Sequence, residues 1–215
     1  MRGHHQPQKA SFWRSRRGVL VGLAVVGLVA LSFVLPGALS KKSSAGEPTP
    51  TGVTQGAGLP AGSHVPAFSG TDLLDGKPIT SASVYDLKTL LFFSEGVSCQ
   101  ACLVQIQGLQ QVGSALAKRG IGLVSIMPDP PAVLRQAVSA YGITTPVISD
   151  TSLSMSRAFN TMGQGMHTDT PGHAFALIDH DKVLWYRDYW ISDHTMYVPP
   201  ATLLAQLPAA GKLSS

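Results

Sequence analysis

Charge is scarce in this chain. Only 13% of the 215 residues are Asp, Glu, Lys or Arg. The formal net charge of +4 suggests an anionic partner until its distribution is read. Seven of the 16 Lys and Arg precede Ser43; from there on nine basic residues face all twelve acidic ones, a net of −3. The part with globular composition therefore lacks the basic face that nucleic-acid binding requires. Cysteine is scarcer still: Cys99 and Cys102 are the only two. They pair with each other, bind something together, or stand as free thiols. A zinc site built on C-x-x-C wants a second Cys or His pair at similar spacing, and none is present. No internal repeat is visible.

What the sequence has in plenty is apolar residues, 44%, enough for a sizeable core. The longest apolar run is residues 18–35, GVLVGLAVVGLVALSFVL, broken only by Ser32. As a helix it rises about 27 Å, close to a bilayer's hydrocarbon thickness. Five Lys or Arg precede it and two follow. The positive-inside bias then keeps the N-terminus in the cytoplasm and sends the rest across. Ala38-Leu39-Ser40 offers an A-x-A-like cleavage arrangement, but a signal peptide's apolar region is usually only ~7–15 residues long, so a retained signal-anchor is the reading. Under either reading the domain is exported. Residues 41–62 are rich in Gly, Pro, Ser and Thr and have almost nothing to bury; they read as a flexible tether. The expected organisation is a basic cytoplasmic segment (1–17), a transmembrane anchor (18–39), a linker (40–62) and one domain (63–215).

Within the domain, Leu73 to Ile79 carries an Asp75-Gly76 turn between apolar flanks, a hairpin signal. Val84 to Leu87 reads as a short connector. Thr89 to Ser94 is a continuous apolar run that fits a strand buried on both faces, as in a parallel sheet. From Cys99 on, Leu103, Ile106, Leu109, Val112 and Leu116 recur at spacings of three and four, one face of a helix that ends at Gly120. Ile121 to Met127 predicts a second strand. Pro128 to Pro131 opens a second helix with Val133, Leu134, Ala137, Val138 and Tyr141 inward. Pro146 to Ile148 predicts a short strand and Ser152 to Met162 a further helix. Ala174 to Asp179 and Val183 to Tyr186 read as a hairpin, and Pro199 to Leu207 as a closing helix. Trp185, Tyr186, Tyr189 and Trp190 form an aromatic cluster, read as core and hairpin packing. Strands alternating with helices predict an α/β fold: a central mixed sheet with helices on both faces.

A strand feeding C-x-x-C at a helix start, then βαβ, then Thr170-Pro171 ahead of an apolar strand, resembles the thioredoxin fold over roughly 59–210. The Asp-Gly hairpin and extra length resemble its redoxin branch. The N-terminal anchor is similar to membrane-anchored, extracytoplasmic thiol–disulfide oxidoreductases of the TlpA and ResA kind. The resemblance implies a three-layer fold and catalysis by Cys99 and Cys102. It also implies substrate binding at Thr170 and Pro171, the latter at the family's cis-proline position. The chemistry has its own physical basis. A thiolate at a helix N-terminus is stabilised by free N–H groups and the helix dipole. Cys99, at the exposed end, is expected to attack and Cys102, one turn inside, to resolve the mixed disulfide. A purely structural disulfide is the alternative in exported proteins, but so small a loop stabilises little through chain entropy.

Departures from the family pattern are plain. Ser98 and Ala101 stand where thioredoxins commonly have Trp and Pro, and Phe93 stands where thioredoxin carries a buried acid. Glu95 is the nearest carboxylate and a candidate proton acceptor, although its place in the turn reads first as a solvated residue. The reading needs no cofactor beyond a redox-active Cys99–Cys102 disulfide. Its partners are thiols or disulfides of exported proteins, with a membrane electron donor as a further candidate. Two other functions compete. A peroxidase of the peroxiredoxin type resembles P-x-x-x-T/S-x-x-C, yet Gly96 precedes Cys99 by three and no hydroxyl stands there. A copper chaperone similar to the Sco proteins would use Cys99, Cys102 and His167, with Met162, Met166 and His173 nearby, since thiolate, thioether and imidazole suit copper. Sco-type cysteines have three intervening residues, here two.

Overall fold

The computed structural model describes residues 58–84 and 87–208. The basic N-terminal segment, the apolar run, most of the linker and the last seven residues lie outside them. No helix among the described residues is long and apolar enough to cross a membrane.

The apolar run before the cysteines is the sheet's centre. Strand β3 (Lys88–Phe93) lies between β4 (Ile121–Met127) and β6 (Ala174–Asp179), in the order β5-β4-β3-β6-β7, with β5 at Val147–Ser149 and β7 at Lys182–Asp188. The β3–β4 and β4–β5 pairings are parallel; β3–β6 and β6–β7 are antiparallel. Alternation along β3 divides the core in two. Leu90 and Phe92 join an apolar cluster with Cys99, Cys102, Leu103, Ile106, Leu134 and Leu203. Leu91 and Phe93 join the opposite one with Phe68, Val84, Met155 and Phe159. All four β3 residues are fully buried, and burial of each is worth roughly 1.5–3 kcal/mol.

Helices cover both faces. On the Phe92 side lie α2 (Gln100–Gln111), α4 (Pro131–Ala140) and α7 (Pro200–Gln206); on the other lie α1 (Ser81–Val84) and α5 (Ser154–Ala158). The α/β three-layer expectation is met. A hairpin of β1 (Ser69–Thr71) and β2 (Pro78–Thr80) turns through Gly76, whose φ of +74° is one that glycine adopts freely.

Three elements differ from the sequence reading. The long helix after Cys99 is two: it stops at Val112 and resumes as α3 (Gly113–Lys118). Helix α5 is shorter than expected, because Leu153 and Asn160 on either side of it are left-handed, with φ of +59° and +56°. An additional helix, α6 (Tyr189–Asp193), occupies part of the aromatic cluster. Residues 58–62, the end of the stretch read as tether, lie against the domain: the Gly58 and Gly62 amides donate to the carbonyls of Asn160 and Val183.

Candidate active site

Strand β3 delivers the chain to a turn, Ser94 to Ser98, and the turn delivers Cys99 to the N-cap of α2. One carboxylate holds that turn. The Asp129 carboxylate, just past β4, accepts the Val97 amide at 2.9 Å; burial pushes its pKa up. Gly96, with φ +101°, lies so close to Asp129 that a side chain there would strike the carboxylate. Cys99 is extended, and its Sγ accepts the Cys102 amide at 3.2 Å. Its sulfur is bonded to that of Cys102, with Cα atoms 5.3 Å apart. The order of exposure is as expected but compressed: Cys99 is 4% exposed and Cys102 fully buried.

Glu95 is not a solvated turn residue. Its side chain is buried, and it clamps the loop after Met162. One oxygen accepts the amides of Met166 and, at 3.3 Å, His167; the other is 3.0 Å from His167 Nδ1. His167 is thereby engaged by Glu95, and the copper set Cys99, Cys102 and His167 is not brought together. Among the described residues no three His, Cys, Asp or Glu are grouped to hold a metal ion.

The expectation for Thr170-Pro171 is altered in two ways. The described residues contain no cis peptide, so this bond is trans. The backbone groups flanking Pro171 are also already paired: the Thr170 carbonyl accepts the Gly163 amide, and the Gly172 amide donates to Thr161, both at 2.9 Å. The residue brought to the cysteines is His173, two positions on. It is fully buried, with Nδ1 3.7 Å from Cys102 Sγ and Nε2 3.4 Å from Gln105 Oε1. Burial pulls its pKa down to about 3, leaving the imidazole neutral. Its place in the sequence, between the Thr-Pro pair and an apolar strand, was the only signal.

Asp188, at the end of β7, is a group that sequence reasoning missed. Oδ1 caps α6 by accepting the Ile191 amide at 2.7 Å; Oδ2 faces the Gly172 backbone without a hydrogen-bond partner. Burial, helped by the Glu95 charge, pushes its pKa up to about 7. A raised folded pKa favours the folded state below the unfolded value near 4, and that contribution is lost as pH rises through 7. Asp188→Asn keeps the cap and removes the charge. Urea midpoints of the two proteins should therefore diverge between pH 5 and 8, the variant gaining on the order of 1–3 kcal/mol relative to wild type. Parallel curves would show that Asp188 is not held neutral.

Comparison with known proteins agrees with this fold. The AhpC/TSA family matches residues 61–187. Peroxidoxin BcpB from Mycobacterium tuberculosis is 20% identical, with a TM-score of 0.54 over 69% of this chain and 98% of its own. AhpC from Enterococcus faecalis is 14% identical, with a TM-score of 0.59 over 68% and 89%. A putative thiol:disulfide interchange protein DsbE from Chlorobium tepidum is 17% identical, with a TM-score of 0.50 over 60% and 86%. No curated protein matches the sequence. At these identities the likeness of the solved structures concerns the fold; the family match covers more than half of the chain. With a bonded cysteine pair at a helix start on a thioredoxin-like sheet, this chain belongs to the AhpC/TSA family and is a thioredoxin-like redoxin oxidoreductase.

Proposed function

We propose that this protein is a membrane-tethered, extracytoplasmic thiol–disulfide oxidoreductase that exchanges disulfides with exported proteins. The observation that carries the reading is the Cys99–Cys102 disulfide at the N-cap of α2. The export segment at 18–39 supports the location, with the N-terminus in the cytoplasm. Cys99 is the nucleophile. The Cys102 amide, which its sulfur already accepts, and the dipole of α2 favour its thiolate. Attack on a partner's disulfide leaves a mixed disulfide on Cys99. Cys102 then displaces the partner's sulfur and closes the pair. The loop 163–171, with Thr170 and Pro171, is the proposed contact for the partner's chain.

A peroxidase is the second reading, favoured by the family match and the likeness to BcpB and AhpC. Against it, the position three before Cys99 is Gly96, whose surroundings hold the Asp129 carboxylate where that pattern has a hydroxyl. The copper reading also has a direct test. The full chain should show a two-electron reduction potential that consumes and regenerates both thiols. It should not bind Cu(I) tightly when reduced, and should turn over hydrogen peroxide no faster than a free thiol. Tight Cu(I) binding by both sulfurs, or rapid peroxide reduction, would replace disulfide exchange with the corresponding function.

A further inference from the structure

Gln105 sits one helical turn beyond Cys102 on α2 and is fully buried. Its amide is locked to the backbone of Val198: Oε1 accepts the Val198 amide at 2.6 Å, and Nε2 donates to the Val198 carbonyl at 3.1 Å. A carbonyl cannot accept from another carbonyl, nor an amide N–H donate to an N–H, so this pairing fixes which end of the side chain is oxygen. That same Oε1 faces His173 Nε2 at 3.4 Å. An oxygen that only accepts requires the proton on Nε2. The lone pair of the neutral ring is then on Nδ1, the atom 3.7 Å from Cys102 Sγ. The ring is held in place by Phe92, edge-on at 4.8 Å, and by Phe175 at 5.7 Å, while its backbone carbonyl accepts the Tyr189 amide.

In the disulfide neither Nδ1 nor Sγ has a hydrogen to share. Reduction supplies one. We propose that His173 is the base for Cys102, accepting its S–H proton on Nδ1 as Sγ attacks; this rests on the disulfide-exchange reading above. In the resolving step the Cys102 S–H bond breaks and its proton moves to Nδ1. Sγ bonds to Cys99 Sγ, and the bond from Cys99 to the partner's sulfur breaks, its electron pair leaving with that sulfur. The proton then passes to the departing thiolate. The partner's disulfide has been reduced by two electrons and the Cys99–Cys102 pair oxidised.

Burial holds the imidazole neutral and makes it a weak base, so Nδ1 does not keep the proton but relays it while the S–S bond forms. The other titratable groups packed around this corner are Cys99 on α2, Asp188 and Tyr189 at the β7–α6 junction, and Glu95 after β3, which acts on Asp188. Asp188, whose Oδ2 faces the Gly172 backbone, is pushed toward its neutral form by burial. The charge the imidazole carries in transit is balanced by the partner's departing thiolate, to which the proton passes, so it is short-lived.

The test separates the two halves of the reaction. The reduced full chain is mixed with dithiobis-nitrobenzoate, which releases one coloured thiolate on attack by Cys99 and a second on resolution by Cys102. In His173→Gln the first release should stay within about 2-fold of wild type, while the second slows on the order of 10²-fold or more. Its rate should also rise with pH as the unassisted thiol ionises. A second release at the wild-type rate with the wild-type pH profile overturns the base. Ring-nitrogen NMR of the histidine-labelled wild-type chain needs no variant: it should show a protonated Nε2 and a bare Nδ1, and a proton on Nδ1 of the oxidised protein overturns the proposal. Failure of the wild-type chain itself to release a second thiolate overturns disulfide exchange, and the base with it.

Discussion

Cys99→Ser should abolish dithiol exchange, and Cys102→Ser should stop the cycle half-way with the partner still attached. The asymmetry follows from position on α2. Cys99 is the N-cap, where the orphan amides of the first turn favour a thiolate, and a serine hydroxyl is not ionised at neutral pH. Cys102 lies fully buried behind it, able to reach the sulfur of Cys99. Both variants should fold, because a bond closing so short a loop adds little by restricting the unfolded chain. A small change in unfolding midpoint beside a complete loss of turnover is thus the expected pair of observations. Mass spectrometry should find adducts of probe or partner on Cys102→Ser and none on Cys99→Ser. Full exchange by the Cys99 variant would remove the assignment of nucleophile.

Phe92→Ala should cost about 3–5 kcal/mol, the range for truncating a fully enclosed aromatic side chain. Phe92 is completely buried in the central strand, stacked on Phe175 at 4.7 Å and edge-on to His173 at 4.8 Å. The space left by its ring opens directly under the imidazole and cannot be refilled from the strand, which is pinned on both sides by β4 and β6. Urea unfolding should show a much lower midpoint with an unchanged slope. A loss below about 1 kcal/mol would mean that the site's floor collapses to fill the gap, contrary to a rigid support.

How far these features were legible depended on how local their causes were. Strand β4 runs from Ile121 to Met127, the apolar run itself, and β6 from Ala174 to Asp179, again as read. The start of α2 was legible because an apolar strand, a turn and a cysteine N-cap follow one another within a few residues. The stop at Val112 was not. Leu109, Val112 and Leu116 keep helical spacing across it, and the interruption is marked only by Gly113, a weak helix former. Helix α6 was hidden by its aromatics, which suit a hairpin equally well; its one sign was Asp188, whose carboxylate caps the helix.

The site was half-legible for the same reason. The cysteine pair is a local pattern. The groups around it come from afar: Asp129 reaches Val97 from 32 positions away, Glu95 reaches His167 across 72, and His173 reaches Cys102 across 71. Nothing in the periodicity of one segment reports which residue of another it will meet. Glu95 shows the error this produces. In a turn of polar residues it looks hydrated, whereas folding lays the 166–167 amides over it.

The internal pairing around Pro171 has a consequence for how strangers are told apart. With the Thr170 carbonyl and Gly172 amide both occupied, those two rungs are closed to a visiting polypeptide's ribbon. What the neighbouring loop turns outward instead is a thioether, Met166, half exposed and supple enough to fit many shapes. If the proposed exchange with exported proteins holds, such a surface would sort its clients by oiliness rather than by strand register, and so ask little of their conformation.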